Sequence, residues 1–163
     1  MKVRFLFPNG FIKAGWVLIV LGLIVFALSG YMEKHGILTH VPVFCVYNSL
    51  NAITDNPPPP IVMGFTYDEI IFELYIILLV TGFLFIGFSR LKTEDEFTMK
   101  LRLESLLWST FIVFALFLFS VIFIYGLFFI IIPIFCLLLF LIIYNLRFYF
   151  VYYKSLKSDK DEK

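Results

Sequence analysis

A chain of 163 residues that is 61% hydrophobic, with 22 Phe and only 15% charged residues, is too apolar for a soluble domain. The expected solvent is lipid. A formal net charge of +1 without a clustered basic face excludes a protein that binds nucleic acid directly by neutralising phosphates.

Four apolar runs, at about residues 14–30, 70–88, 106–125 and 127–147, each come near the ~20 residues that carry a helix across ~30 Å of hydrocarbon. Their continuous apolarity excludes a barrel, whose strands alternate between lipid and lumen. The fold class expected is therefore all-α integral membrane, one domain of four transmembrane helices.

The first run follows Lys2, Arg4 and Lys13 and carries Gly15, Gly22 and Ser29 at seven-residue spacing, a small-residue face for close helix packing. A basic start, an apolar stretch and "ALS" at residues 27–29 also fit a secretory signal peptide. The small face favours retention of residues 1–29 as a span, because a signal peptide has no use for it.

Residues 31–68 form a connection read as a loop packed against helix ends. "ILTHVPVFCVYN" has the β-branched and aromatic content of a short strand or hairpin, and "TDNPPPP" must be extended. His35, His40 and Cys45 lack any compact ligand spacing, so no metal is expected. Cys45 and Cys136 are too differently placed to pair. Asp68, Glu69 and Glu73 open the second run, and Glu73, an intramembrane acid about one turn below the surface, is a candidate site weighed against a helix-start acid that reaches water.

Polar residues concentrate next in "SRLKTEDEFTMKLRLESLLW", residues 89–108. Thr93 and Glu96 make a T-x-x-E capping box, with Glu94, Asp95 and Glu96 in the first turn where the helix dipole favours acids. Glu96 and Lys100 are spaced i,i+4, and Phe97, Leu101, Ser105 and Trp108 make a stripe at helical spacing. Residues 89–105 are thus expected to extend the third helix out of the membrane. Consecutive acids on a helix diverge by about 100° and make a poor hard-cation site, and no nucleophile–base pair is present, so neither an enzyme nor a cofactor is expected. Glu94, Asp95, Glu96, Phe97, Leu101, Arg102 and Glu104 are the candidate partner-docking residues, with Asp95 or Glu104 available to Arg90, Arg102 or Arg147.

The third and fourth runs meet at "FIYGLFF", where Gly126 predicts a tight hairpin. Of the 13 Lys and Arg, all but Lys34 fall before the first run, between the second and third, or after the fourth, including the charged tail at 154–163. The positive-inside rule then puts both termini in the cytoplasm (N-in/C-in) and the 31–68 loop and Gly126 turn outside. Trp16, Trp108, Tyr144, Tyr149, Tyr152 and Tyr153 fall where a cytoplasmic aromatic belt would lie.

The 89–108 stretch, with "FPNGFIKAGWVLIVLGLI" and "LRFYFVYYK", resembles small four-span bacterial inner-membrane proteins to which no activity attaches. Asp95-Glu96, Leu101 and Glu104-Ser105 are also similar to the D-E-R-x-x-x-I-x-x-K-A signature of membrane proteins encoded beside helix-turn-helix regulators, with Phe97 in place of Arg and Glu104 in place of Lys. The expectation is a non-enzymatic protein of the bacterial cytoplasmic membrane. Its partners would be the lipid bilayer and a cytoplasmic protein such as a DNA-binding regulator, or further copies of itself in a homo-oligomeric channel.

Overall fold

Runs of Leu, Ile, Val and Phe free of turn residues satisfy their own backbone hydrogen bonds as helices, which is what hydrocarbon demands of a spanning segment. A computed structural model describes residues 6–37, 41–48, 61–91, 95–124 and 128–161. Its elements are α1 (Gly10–Lys34), β1 (Val41–Asn48), β2 (Ile61–Asp68), α2 (Ile71–Gly87), α3 (Glu96–Phe123) and α4 (Phe128–Asp161). Gly126, Thr93, Glu94, His40 and the proline run at 57–60 lie outside the described residues.

α1, α3 and residues Ile131–Lys157 of α4 are long and apolar enough to cross a membrane, and α2 is a shorter apolar helix. The chain is a multi-pass membrane protein. Side chains such as Phe111, Phe114 and Leu118, exposed at 72%, 63% and 60%, are a liability in water and ordinary against lipid. The fold is mostly helical but not all-α: β1 and β2 pair antiparallel from Val41↔Asp68 to Asn48↔Ile61, inside the 31–68 connection.

The chain divides into two compact units, Met1–Val20 with Leu78–Lys163, and Leu21–Ile77. In the first, α3 packs along α4. The start of α1 lies against α2 through glycines. A Cβ built on Gly15 would stand 2.8 Å from the Gly82 carbonyl oxygen, and one on Gly82 would stand 3.0 Å from that of Gly15. Just before α1, Phe7 donates its N–H to Phe88 O and accepts from Arg90 N, both at 2.9 Å, tying the residues that precede α1 to those that follow α2. Phe7 and Phe11 stack at 5.3 Å, and both meet Phe85 edge-on. In the second unit, Tyr75 packs edge-on against Phe26 of α1 and Phe72 of α2.

α3 starts two residues later than the Thr93 cap implies. Asp95 is the N-cap: its carboxylate accepts from Thr98 N at 3.0 Å, and Thr98 Oγ1 accepts from Asp95 N at 3.1 Å, a capping box with Thr in the place expected for Glu. Asp95→Ala should therefore lower stability by about 1 kcal/mol and Asp95→Asn by far less, read as the thermal midpoint of the circular dichroism signal in detergent. Of the predicted extension over 89–105, the part from Glu96 onward is one continuous helix with the third span, whereas Ser89, Arg90 and Leu91 are not helical. α4 runs on past residue 147 into the predicted tail, and it takes Pro133 within its length.

Candidate functional site

A helix end leaves four carbonyls without intrahelical partners, and inside a membrane protein each must find a donor. For α2 these are the carbonyls of Leu84, Phe85, Ile86 and Gly87, and every one accepts a hydrogen bond. Phe88 N reaches Leu84 O at 2.9 Å, and the Ser89 hydroxyl turns back to Phe85 O. Tyr149 of α4 donates its hydroxyl to Ile86 O at 3.1 Å. Gly87 O takes two donors, Arg102 Nη1 of α3 at 2.6 Å and the Tyr144 hydroxyl of α4 at 3.0 Å. The second arm of the guanidinium, Nη2, reaches Ser89 O at 2.9 Å.

Arginine suits this position on three counts. Its planar fork spans two carbonyls that a lysine ammonium could not reach together. Its charge sits at the negative end of the α2 dipole. Its face lies 4.7 Å over the Phe148 ring, which stabilises a cation withdrawn from water. Arg102 is only 9% exposed, and Tyr144 and Phe148 are fully buried. Phe88 stacks on Tyr144 at 5.4 Å. One turn deeper, Asn145 Nδ2 donates to Phe83 O at 3.2 Å and Leu141 O at 2.8 Å. Gly87 is what lets α4 come so close, since a Cβ there would stand 2.6 Å from the Tyr144 ring and 3.0 Å from Asn145 Oδ1. Asn145 Oδ1 and Ser105 Oγ are buried without a partner. Chemically the cluster is a mechanical junction: its named donors are spent on main-chain carbonyls, and they fasten α2, α3 and α4 to one another.

The candidate docking residues separate into two groups around this junction. The buried face of α3 is Thr98, Leu101, Arg102, Ser105, Ser109 and Val113. Leu101 and Arg102 are thus not on a docking surface, which corrects the sequence reading. The stripe Phe97, Leu101, Ser105 and Trp108 is likewise split, with Leu101 and Ser105 buried and Phe97 and Trp108 about half exposed at 49% and 51%. The buried face is rotated toward the polar positions because the end of α2 needs donors. Asp95, Glu96, Phe97, Lys100, Leu103 and Glu104 remain exposed. Glu104 pairs with Arg147 at 3.0 Å, and Arg147 in turn lies 4.5 Å over the Trp108 ring.

The other expected sites are placed as follows. Glu73 is exposed in the first turn of α2. Gly15 meets α2, Gly22 is buried, and the Ser29 hydroxyl bonds back to Phe26 O at 2.8 Å. Both cysteines are free. Among the described residues no group of three or more His, Cys, Asp or Glu could hold a metal. Sequence reasoning missed Ser89, Asn145 and Gly87 as parts of one cluster and read Tyr144 and Tyr149 only as belt residues. The signal that could have found them is Tyr144, Asn145, Phe148 and Tyr149 at i, i+1, i+4 and i+5, which puts two Tyr hydroxyls and an amide on one face just after a run of Leu, Ile and Phe.

No family model, curated protein or solved structure matches this chain. Its function is read from geometry.

Proposed function

We propose that the chain is a non-enzymatic, four-span protein of a bacterial cytoplasmic membrane, with both termini cytoplasmic, whose α3 start docks a cytoplasmic protein partner. One observation carries the reading. The first turns of α3 are fastened on one side through Thr98, Leu101, Arg102 and Ser105, and they hold out Glu96, Phe97, Lys100, Leu103 and Glu104 on the other. Phe97 and Leu103, 49% and 63% exposed, stand among charges, the mixture of apolar anchor and polar rim that protein interfaces use.

The topology draws support from two sides. All bases but Lys34 fall in the segments assigned to the cytoplasm. The first unit also gathers the residues before α1, the end of α2, the start of α3 and Tyr144–Tyr149 of α4, as alternating crossings require. With 17 residues, α2 spans about 25 Å and crosses with slight thinning of the bilayer. A homo-oligomeric channel is the weaker alternative, because the polar stripe it would line a pore with, Thr98, Ser105 and Ser109, is buried within the chain.

The test is in-cell crosslinking followed by pull-down of the full chain with Glu96→Lys and Phe97→Ala combined. Recovery of the partner should fall by about tenfold, the loss of a single interface anchor, while stability falls by no more than the roughly 1 kcal/mol that a first-turn acid contributes through the helix dipole. An unchanged set of partners removes the docking role, and single-channel conductance in a reconstituted bilayer would transfer weight to the pore.

A further inference from the structure

A two-stranded hairpin has no interior of its own, so an apolar face on it needs a cover. Strand alternation places Pro42, Phe44 and Val46 of β1 on the same face as Phe65 and Tyr67 of β2, with Phe44 paired to Phe65 and Pro42 to Tyr67. All five are exposed, Phe65 and Tyr67 by 75% and 73%, and none is charged. The Phe44 and Phe65 rings meet edge-on at 5.5 Å, making one aromatic patch across the strands. On the reverse face Val41, Val43, Cys45, Gly64 and Thr66 are half-buried, and Val62, nearer the far end of the hairpin, is exposed.

We infer that the Pro42, Phe44, Val46, Phe65 and Tyr67 face lies on the bilayer itself, at the boundary between headgroups and acyl chains of the leaflet where α2 begins, and anchors the α1–α2 connection there. Three observations select lipid as the occupant. Only Glu69 and Ile70 separate β2 from α2, so the base of the hairpin is held within about 10 Å of a helix of membrane character. Exposed Glu33, Lys34, Glu69 and Glu73 at the facing ends of α1 and α2 mark the headgroup level, which is therefore the level of the hairpin's base. In the same unit Tyr31 of α1 and Phe72 of α2 also present exposed rings, at 60% and 38%, and tyrosine and other aromatic rings favour that interface. A second copy of the chain would have to be met by diffusion, whereas lipid is always within reach of a two-residue tether.

The experiment uses the full chain with Cys45→Ser and Cys136→Ser, single cysteines at Phe65→Cys, Val46→Cys or Val43→Cys, and a bimane label, reconstituted in phosphatidylcholine vesicles. Quenching by a nitroxide carried high on the lipid acyl chain should be about threefold stronger at 65 and 46 than at 43, with iodide on both sides of the membrane giving the reverse order. Equal lipid quenching on the two faces overturns the inference. So does weak lipid quenching at 65 and 46 together with disulfide-linked dimers that form on oxidation of the unlabelled Phe65→Cys and Val46→Cys proteins at high dilution in lipid, which would assign the face to a second copy. Using one labelled site on each strand guards against a local defect, because a single disrupted strand would alter 65 or 46 but not leave the other ordered against lipid.

Discussion

Arg102→Ala is expected to lower the unfolding free energy by about 3–5 kcal/mol, the largest effect of any single side-chain truncation in the junction. The substitution removes two charge-assisted hydrogen bonds, to Gly87 O and Ser89 O, each worth roughly 1.5–3 kcal/mol. It also removes the cation over Phe148. These contributions overlap, so their sum is not the expected loss. The Tyr144 hydroxyl still serves Gly87 O, so the main new defect is at Ser89 O. Arg102→Lys should recover only part of the loss, because one ammonium cannot serve both carbonyls in the geometry of the fork. Tyr149→Phe, which takes away the donor to Ile86 O, should cost about 1–2 kcal/mol. Thermal unfolding in a mild detergent gives the ranking. If Arg102→Ala left the midpoint within the range of ordinary surface substitutions, about 0.5 kcal/mol, the guanidinium would not be holding the end of α2.

Arg102 also shows where a sequence reading stops. A base just outside an apolar run is ordinarily turned to water, so counting charges put it beside Glu96 and Glu104 on an outer surface. What places it inside is a need that arises elsewhere in the chain: α2 ends at Gly87 with carbonyls that want donors, and nothing in α3's own periodicity records that. The spans of α1, α3 and α4 were legible because runs of about 20 residues dominated by Leu, Ile, Val and Phe permit few alternatives to a helix. Their ends were less so. α4 continues through Arg147 and Lys154 as a helix because nothing in that stretch breaks one, whereas hydropathy alone stops at the first base. Residues 37–48 carried a strand signal, and β1 lies there, but its partner Ile61–Asp68 was not read, since pairing across a long connection is a non-local property. The acids at the start of α3 announced a helix start correctly, and the cap fell on Asp95 because Thr98, rather than Glu96, supplies the returning oxygen.

The glycines divide by what stands opposite them, and this gives the second large effect. Gly82→Ala and Gly15→Ala should each destabilise by about 1–3 kcal/mol, and Gly15→Val by more, because overpacking a helix contact forces the backbones apart. A Cβ on Gly15 would meet Ile86 Cγ1 at 2.7 Å and Gly82 O at 2.8 Å, and one on Gly82 would meet Ile19 Cγ1 at 2.7 Å. An isoleucine methylene can rotate away, but a carbonyl in a helix moves only with its helix. Gly30, also inside α1, has nothing within 4 Å of such a Cβ. There the only consequence is the higher helix propensity of alanine, so Gly30→Ala should stabilise by roughly 0.5–1 kcal/mol. The predicted signs are therefore opposite for two glycines of one helix, and detergent unfolding midpoints measured side by side distinguish them. Gly15→Ala and Gly82→Ala should also fall short of additivity when combined, since the first separation of the helices relieves much of the clash that the second would create. Full additivity, or a Gly15→Ala protein as stable as Gly30→Ala, would mean that the start of α1 does not pack on α2 through these two residues.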